Sequence, residues 1–131
     1  MSGWEGLNRR KFPRVSYPCL VVVNHREEKE EIILTHTENI SIGGICVTLK
    51  RNIRTFSYAH LEIDLMDLQD HVRCKGKVVW NVQRKGSTKT KPLFYDIGIE
   101  FEDIADKDRQ RLQKIVDHLA KFESETKSSS V

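Results

Sequence analysis

The sequence predicts a mainly β protein: a small, six-stranded antiparallel β-barrel followed by one C-terminal α-helix. Two observations predict it. Short stretches of alternating or β-branched apolar residues recur as far as Phe101, separated by polar or glycine-containing breaks. Beyond Phe101 the apolar spacing lengthens to that of a single helical face. Short strands of this kind bury their apolar faces by closing the sheet on itself, which also removes its edges, with the helix over one side or end.

Residues 1–8 are a leader without periodicity, and 9–14, RRKFPR, form a basic linker. The first strand is expected over 15–24, with Pro18 marking an edge or a bulge because proline cannot donate to a ladder. A polar turn, 25–30, leads to the second strand over 31–40. Gly43 and Gly44 interrupt the pattern, and a third strand covers 45–49. In the fourth, 59–65, Leu61, Ile63 and Leu65 alternate with His60, Glu62 and Asp64. In the fifth, Val72, Cys74, Gly76, Val78 and Trp80 share one parity. A polar loop over 86–92 precedes the sixth, where Ile97, Ile99 and Phe101 alternate with Asp96, Gly98 and Glu100. Ile104, Leu112, Ile115, Val116, Leu119 and Phe122 then fall near one helical face, with Asp103 or Asp106 placed to cap its start. The stretch 124–131, SETKSSSV, is polar and is expected to be a disordered tail.

The chain has 131 residues, which fits one domain. Its longest apolar run, 19–23, is far short of the roughly 20 residues of a membrane span, and the N-terminus lacks the apolar stretch of a secretory signal. No membrane insertion and a cytoplasmic location are expected. Twenty-two basic against 19 acidic residues leave a net charge of +3, too mild to argue for duplex nucleic acid. Charge is unevenly spread. Between positions 71 and 95 there are seven Lys or Arg and no acid, and Arg9, Arg10, Lys11 and Arg14 cluster at the start. Two basic segments meeting on one surface would bind an anion. Cys19, Cys46 and Cys74 are odd in number, widely spaced and in apolar contexts, so buried thiols are expected rather than a disulfide framework or a zinc site. The five histidines lack metal-ligand spacing, and Asp64, Asp67 and Asp70 lack the glycine and terminal glutamate of a calcium loop, so these aspartates are expected to be solvated. Ser41 has no nucleophile-elbow context and no catalytic set is evident, so no enzyme and no cofactor are expected.

Two segments carry recognition chemistry. In Arg10-Lys-Phe-Pro-Arg14, Pro13 holds Phe12 extended, so Arg10 and Arg14 point the same way about 13 Å apart. Planar guanidiniums pair bidentately with phosphate or with guanine O6 and N7. In Asn39-Ile-Ser41-Ile-Gly43-Gly44, a continuous strand sets Asn39 and Ser41 on one face and the isoleucines on the other. The glycines there permit positive φ and close approach of a ligand to the backbone.

Taken together, R-x-x-x-R before the first strand, N-x-S-x-G-G some 25 residues later, G-x-V-x-W (76–80) and D-I-G-I-E-F (96–101) resemble the PilZ domain family over nearly the whole chain. The resemblance implies a six-stranded barrel with a C-terminal helix, here over 9–123, and the bacterial second messenger cyclic di-GMP as ligand. It further implies Arg10 and Arg14 as the phosphate and guanine clamp, with Arg9 auxiliary. Asn39 and Ser41 are implied as a polar pair on the barrel surface, and Gly44, with Gly43 beside it, as the motif glycine. Trp80 sits where some PilZ-like domains present an aromatic near a guanine, although its parity with Val78 equally suits a core residue. The function expected is a receptor that changes its surface on binding cyclic di-GMP and signals to a protein partner. A PilZ-like adaptor that binds no nucleotide is the alternative. A single-stranded nucleic-acid barrel is a third reading, disfavoured because Trp80 is nearly alone among aromatics in the basic stretch.

Overall fold

The computed structural model describes residues 14–26, 29–84 and 94–129, with side chains described as far as 121. Six strands form in chain order: β1 (Leu20–Arg26), β2 (Glu30–Ile40), β3 (Gly44–Leu49), β4 (Tyr58–Ile63), β5 (Val72–Arg84) and β6 (Phe94–Phe101). They are joined antiparallel in the order β1-β2-β3-β6-β5-β4, and β4 pairs back to β1, which closes the barrel. Period-2 alternation sends Val21, Val23, Val47, Leu61, Ile97 and Ile99 into the interior, all of them buried. One helix, α1 (Asp106–Ser129), follows β6. Its Leu112 and Val116 join the same buried cluster as the barrel residues, with Ile104 on the approach. No helix among the described residues is long and apolar enough to cross a membrane.

The chain departs from the expected elements in three places. The segment before Leu20 is not a strand. It touches the sheet by a single bridge, Val15 to Ile40, closed by two backbone hydrogen bonds of 3.0 and 2.9 Å. Pro18 supplies no N–H to extend that ladder. The backbone is carried past it by Thr37, whose N–H donates to the Cys19 carbonyl and whose hydroxyl accepts from the Cys19 N–H. At the helix start, neither Asp103 nor Asp106 supplies a capping side chain among the described bonds. The Ala105 carbonyl accepts the first helical N–H groups, and the Asp103 carboxylate instead accepts from the Lys75 N–H at 2.6 Å. Asp106 and Asp108 in the first turn still complement the positive end of the helix dipole. At the other end the helix backbone continues through Ser129, over most of the stretch expected to be a disordered tail. No glycine or proline interrupts 122–129, so nothing local stops propagation.

One end of the barrel gathers the end of β2, the start of β3, the end of β4 and the end of β6. The helix is tied to this end by Arg111. Its guanidinium grips both oxygens of Asp67, in the loop after β4, at 2.7 and 2.9 Å, and also donates to Asp108 at 2.9 Å. Asp67 is therefore not a solvated carboxylate, contrary to the sequence expectation: a planar fork and a carboxylate two strands of sequence apart are matched only once the barrel closes. The loop that Asp67 anchors carries Met66 and Leu68 at φ 58 and 62, left-handed values unusual for bulky side chains. The Arg111 guanidinium holds the Asp67 carboxyl below its usual range. A depressed folded-state value stabilises the fold above the unfolded value, about 3.9, and that contribution is lost as pH falls through the folded one. Asp67→Asn should therefore lower the melting temperature at neutral pH, and its gap from the wild type should shrink below about pH 4. Thermal melts across pH check this; a gap constant down to pH 2 would detach the effect from the carboxylate's charge.

Candidate functional site

Two single-residue bulges determine which side chains reach the outer wall. On β2, Thr37 pairs with Val47 but Asn39 pairs with Cys46, so Glu38 is an extra residue. On β5, Val78 pairs with Ile99 but Trp80 pairs with Gly98, so Val79 is extra. Each bulge reverses the strand's parity. Val47, Ile97 and Ile99 face inward, so their neighbours Cys46 and Gly98 belong to the outer face, together with their partners Asn39 and Trp80. The result is one cross-strand row over β2, β3, β6 and β5: Asn39, Cys46, Gly98, Trp80. Trp80 is thus not the core residue that its parity with Val78 allowed. Its indole lies across β6, and a methyl group built on Gly98 would overlap the ring. Only glycine lets the indole lie so close to the sheet.

Arg14 stands at the end of this row. The antiparallel Val15–Ile40 bridge fixes its backbone just past the end of β2, level with Ser41 and two residues beyond Asn39. Its charge reaches the row. Burial pushes the Cys46 thiol up to about 12, Asp96 and Glu38 push the same way, and Arg14 and Arg84 oppose them. A thiol so placed stays protonated and inert. Next to the row, the Thr48 hydroxyl lies 2.9 Å from a Glu38 oxygen and 2.8 Å from an Asp96 oxygen, and Arg84 pairs with Asp96 at 3.5 Å. The wall therefore mixes an amide, an indole face, two carboxylates and two guanidiniums around a glycine-floored strip. Such a surface suits a planar, hydrogen-bonding, anionic ligand.

The turn after β2 has a different character from the one expected. Ser41 lies beyond the strand and is only 4% exposed, so it does not form a surface pair with Asn39. Its hydroxyl accepts from the N–H of Gly43 at 3.1 Å and of Gly44 at 3.2 Å, and faces the Gly44 carbonyl at 3.3 Å. The Ser41 N–H also donates to that carbonyl at 2.9 Å. No described glycine has positive φ, so the turn does not use the freedom the sequence suggested. Gly44 is needed for another reason: a methyl group there would overlap the carbonyl oxygen of Ile99 on β6. Gly43 contributes its carbonyl to the Phe101 N–H at 2.9 Å. Arg9 and Arg10 lie outside the described residues.

Of the residues singled out by sequence, the fold brings Asn39, Trp80 and Arg14 to one wall and places Ser41, Gly43 and Gly44 in the turn at its edge. Cys46, Gly98, Glu38, Asp96 and Arg84 were not foreseen there. The only sequence trace of them was the glycine interrupting D-I-G-I-E-F. Gly98→Ala should lift the indole off the strand at little cost to stability, because the obstacle is a movable side chain. The check is indole emission, read against Trp80→Phe to subtract Trp4; an emission maximum unchanged by Gly98→Ala would contradict the stacked arrangement.

Fold and site thus describe a small antiparallel barrel with a candidate recognition surface on its outer wall, preceded by a basic stretch of sequence. A family model, the PilZ domain, matches residues 8–118, and the chain belongs to that family. No curated protein matches it in sequence. Among solved structures, it is similar to the PilZ domain with c-di-GMP of YcgR from Escherichia coli, at 16% identity and TM-score 0.66, over 94% of this chain and 99% of that one. The K. pneumonia MrkH–c-di-GMP complex is similar at 20% identity and TM-score 0.68, over 91% of this chain and 55% of that one. The Bacillus subtilis inhibitor of motility MotI/DgrA is similar at 23% identity and TM-score 0.65, over 84% of this chain and 50% of that one. The chain therefore spans about half the length of MotI and MrkH.

Proposed function

We propose that this PilZ domain is a cyclic di-GMP receptor without catalytic activity, and that it passes the signal on by presenting a changed surface to a protein partner. The observation that carries the reading is the outer row of Asn39, Cys46, Gly98 and Trp80, delivered by two bulges, with Arg14 at its end. In this reading Arg14 and Arg10 clamp phosphate and the guanine O6/N7 edge, assisted by Arg9. The Asn39 amide oxygen accepts from a guanine, and the Trp80 face stacks on a ring. Ser41 and Gly44 shape the turn from which Asn39 projects, with Gly43 between them. An asparagine offers guanine N1 and N2 one neutral oxygen where an aspartate would offer a charged pair, which lowers affinity. The structures of YcgR and MrkH with c-di-GMP support the ligand class. Isothermal titration with cyclic di-GMP tests the reading: saturable binding is expected, undiminished by a DNA oligomer. Absence of heat at every accessible concentration would favour the adaptor, and competition by DNA the nucleic-acid reading.

A further inference from the structure

The outer wall of β4 and β5 brings aromatic rings and ammonium groups together. Tyr58 and His60 point outward from β4, Lys75 and Lys77 from β5. The register sets Tyr58 opposite Lys77 and His60 opposite Lys75. Just before β4, Phe56 is 65% exposed at φ 70, a left-handed value that strains a bulky residue. Its N–H donates to the Val78 carbonyl on β5 at 2.6 Å, which fixes this backbone beside the lysines. Lys75 Nζ lies 4.4 Å from the centre of the Tyr58 ring. Lys77 Nζ lies 5.6 Å from that of Phe56 and 5.9 Å from that of Tyr58. Neither ammonium has an ion-pair partner among the described residues, although Glu100 stands opposite Lys77 on β6 and Asp103 accepts the Lys75 N–H. The neighbouring Arg73 differs, since Glu62 pairs with it at 3.0 Å.

We infer that the β4–β5 wall docks a short acidic segment of the protein partner, an inference that rests on the proposed function for the existence of that partner. Two ammoniums without carboxylates are what an anionic occupant satisfies, and an exposed aromatic held in a strained backbone gives its apolar side chains a platform. Lys75 and Lys77 are two residues apart on one face of β5, hence roughly 6.6 Å apart. Alternate side chains of an extended peptide have the same spacing, so carboxylates at every second position meet both lysines at once. A single nucleic-acid strand suits the wall less well. It stacks its bases on open aromatic faces, and here Lys75 already lies over Tyr58 and Lys77 over Phe56. It also carries a charge at every residue, against two uncommitted ammoniums. The wall adjoins the candidate ligand row on β5, where Trp80 follows Lys77 beyond the bulge. A segment bound here therefore lies next to a ligand stacked on that indole.

Fluorescence anisotropy of a labelled decapeptide, alternating glutamate and serine and ending in leucine, tests this with the full chain. The titration contains no cyclic di-GMP, so its outcome is separate from that of the ligand reading. Saturable binding with a dissociation constant below about 1 mM is expected, weakening as salt is added. Lys75→Gln with Lys77→Gln should weaken it about tenfold or more, with an unchanged circular dichroism spectrum. Lys107→Gln with Lys114→Gln removes the same charge from exposed positions of the helix and should leave the affinity as it is. Tyr58→Leu should weaken binding severalfold by removing the ring. A peptide that does not bind at that concentration overturns the inference. So does an equal loss in the two double variants, which would reduce the effect to net charge. A labelled thymidine oligomer that binds more tightly than the peptide, and is lost with Lys75 and Lys77, would give the wall to nucleic acid instead.

Discussion

Replacing Arg14 with alanine is expected to weaken cyclic di-GMP binding roughly ten- to a hundredfold. A bidentate, charge-assisted contact to phosphate or guanine is worth about 1.5 to 3 kcal/mol, and each 1.4 kcal/mol is about a decade in affinity. Arg14 is proposed as a clamp residue, and its backbone is held by the barrel through the bridge that begins at Val15. Its guanidinium therefore has less freedom to lose on binding than a side chain on an unanchored segment. Arg14→Lys should recover little, since an ammonium keeps the charge and lacks the fork. Neither change touches the buried cluster, so the far-ultraviolet spectrum should not alter. Calorimetric titration of the three proteins decides. A neutral lysine variant would reduce Arg14 to plain electrostatics, and an alanine variant that binds like the wild type would remove it from the site.

Gly44→Ala is expected to be the most destabilising small change in the candidate site. The new methyl group would overlap the Ile99 carbonyl oxygen, which belongs to the backbone of the paired strand and cannot swing aside. Overpacking of this kind costs about 1 to 3 kcal/mol and sometimes more. For a domain of this size that is roughly a 5–15 °C fall in melting temperature. Gly98→Ala makes an instructive contrast, because the obstacle there is the Trp80 side chain. Differential scanning calorimetry should separate them: a large shift for Gly44→Ala and a small one for Gly98→Ala. Equal shifts would mean that the two glycines do the same job, against the geometry described above.

Much of this fold was legible because hydrophobic spacing was clean where one face is wet. The alternation in β4 and β6, and the change of period after Phe101, follow directly from what each segment buries. The candidate site was less legible, and the reason is specific. Its side chains are placed by residues that violate alternation. Reading β5 as a continuous strand puts Trp80 with Val78, inside; the extra Val79 puts it outside. Reading β2 as continuous through Ser41 pairs that serine with Asn39; the strand ends at Ile40, and the turn that follows separates them. A bulge carries no composition signal strong enough to announce itself, since neither glutamate nor valine is unusual in a strand. The Asp67–Arg111 fork was hidden for a different reason: it joins positions 44 residues apart, and no local pattern links them.

The two bulges also bear on how this barrel can diverge. A strand that gains or loses a single residue normally exchanges its faces and ruins the core. Here each extra residue is taken up in a bulge, and its neighbours keep the faces that the partner strand sets: Thr37 and Ile40 stay inward and Asn39 outward. Deleting one codon at Glu38 or Val79 would set Thr37 beside Asn39, or Val78 beside Trp80, in plain alternation, and the outer row would keep its residues. Related barrels can therefore gain or lose a residue at these points with the outer row and the interior isoleucines and valines unchanged. When such sequences are compared column by column, a gap set one position away from the bulge puts Glu38 in the place of Asn39, or Val79 in the place of Trp80.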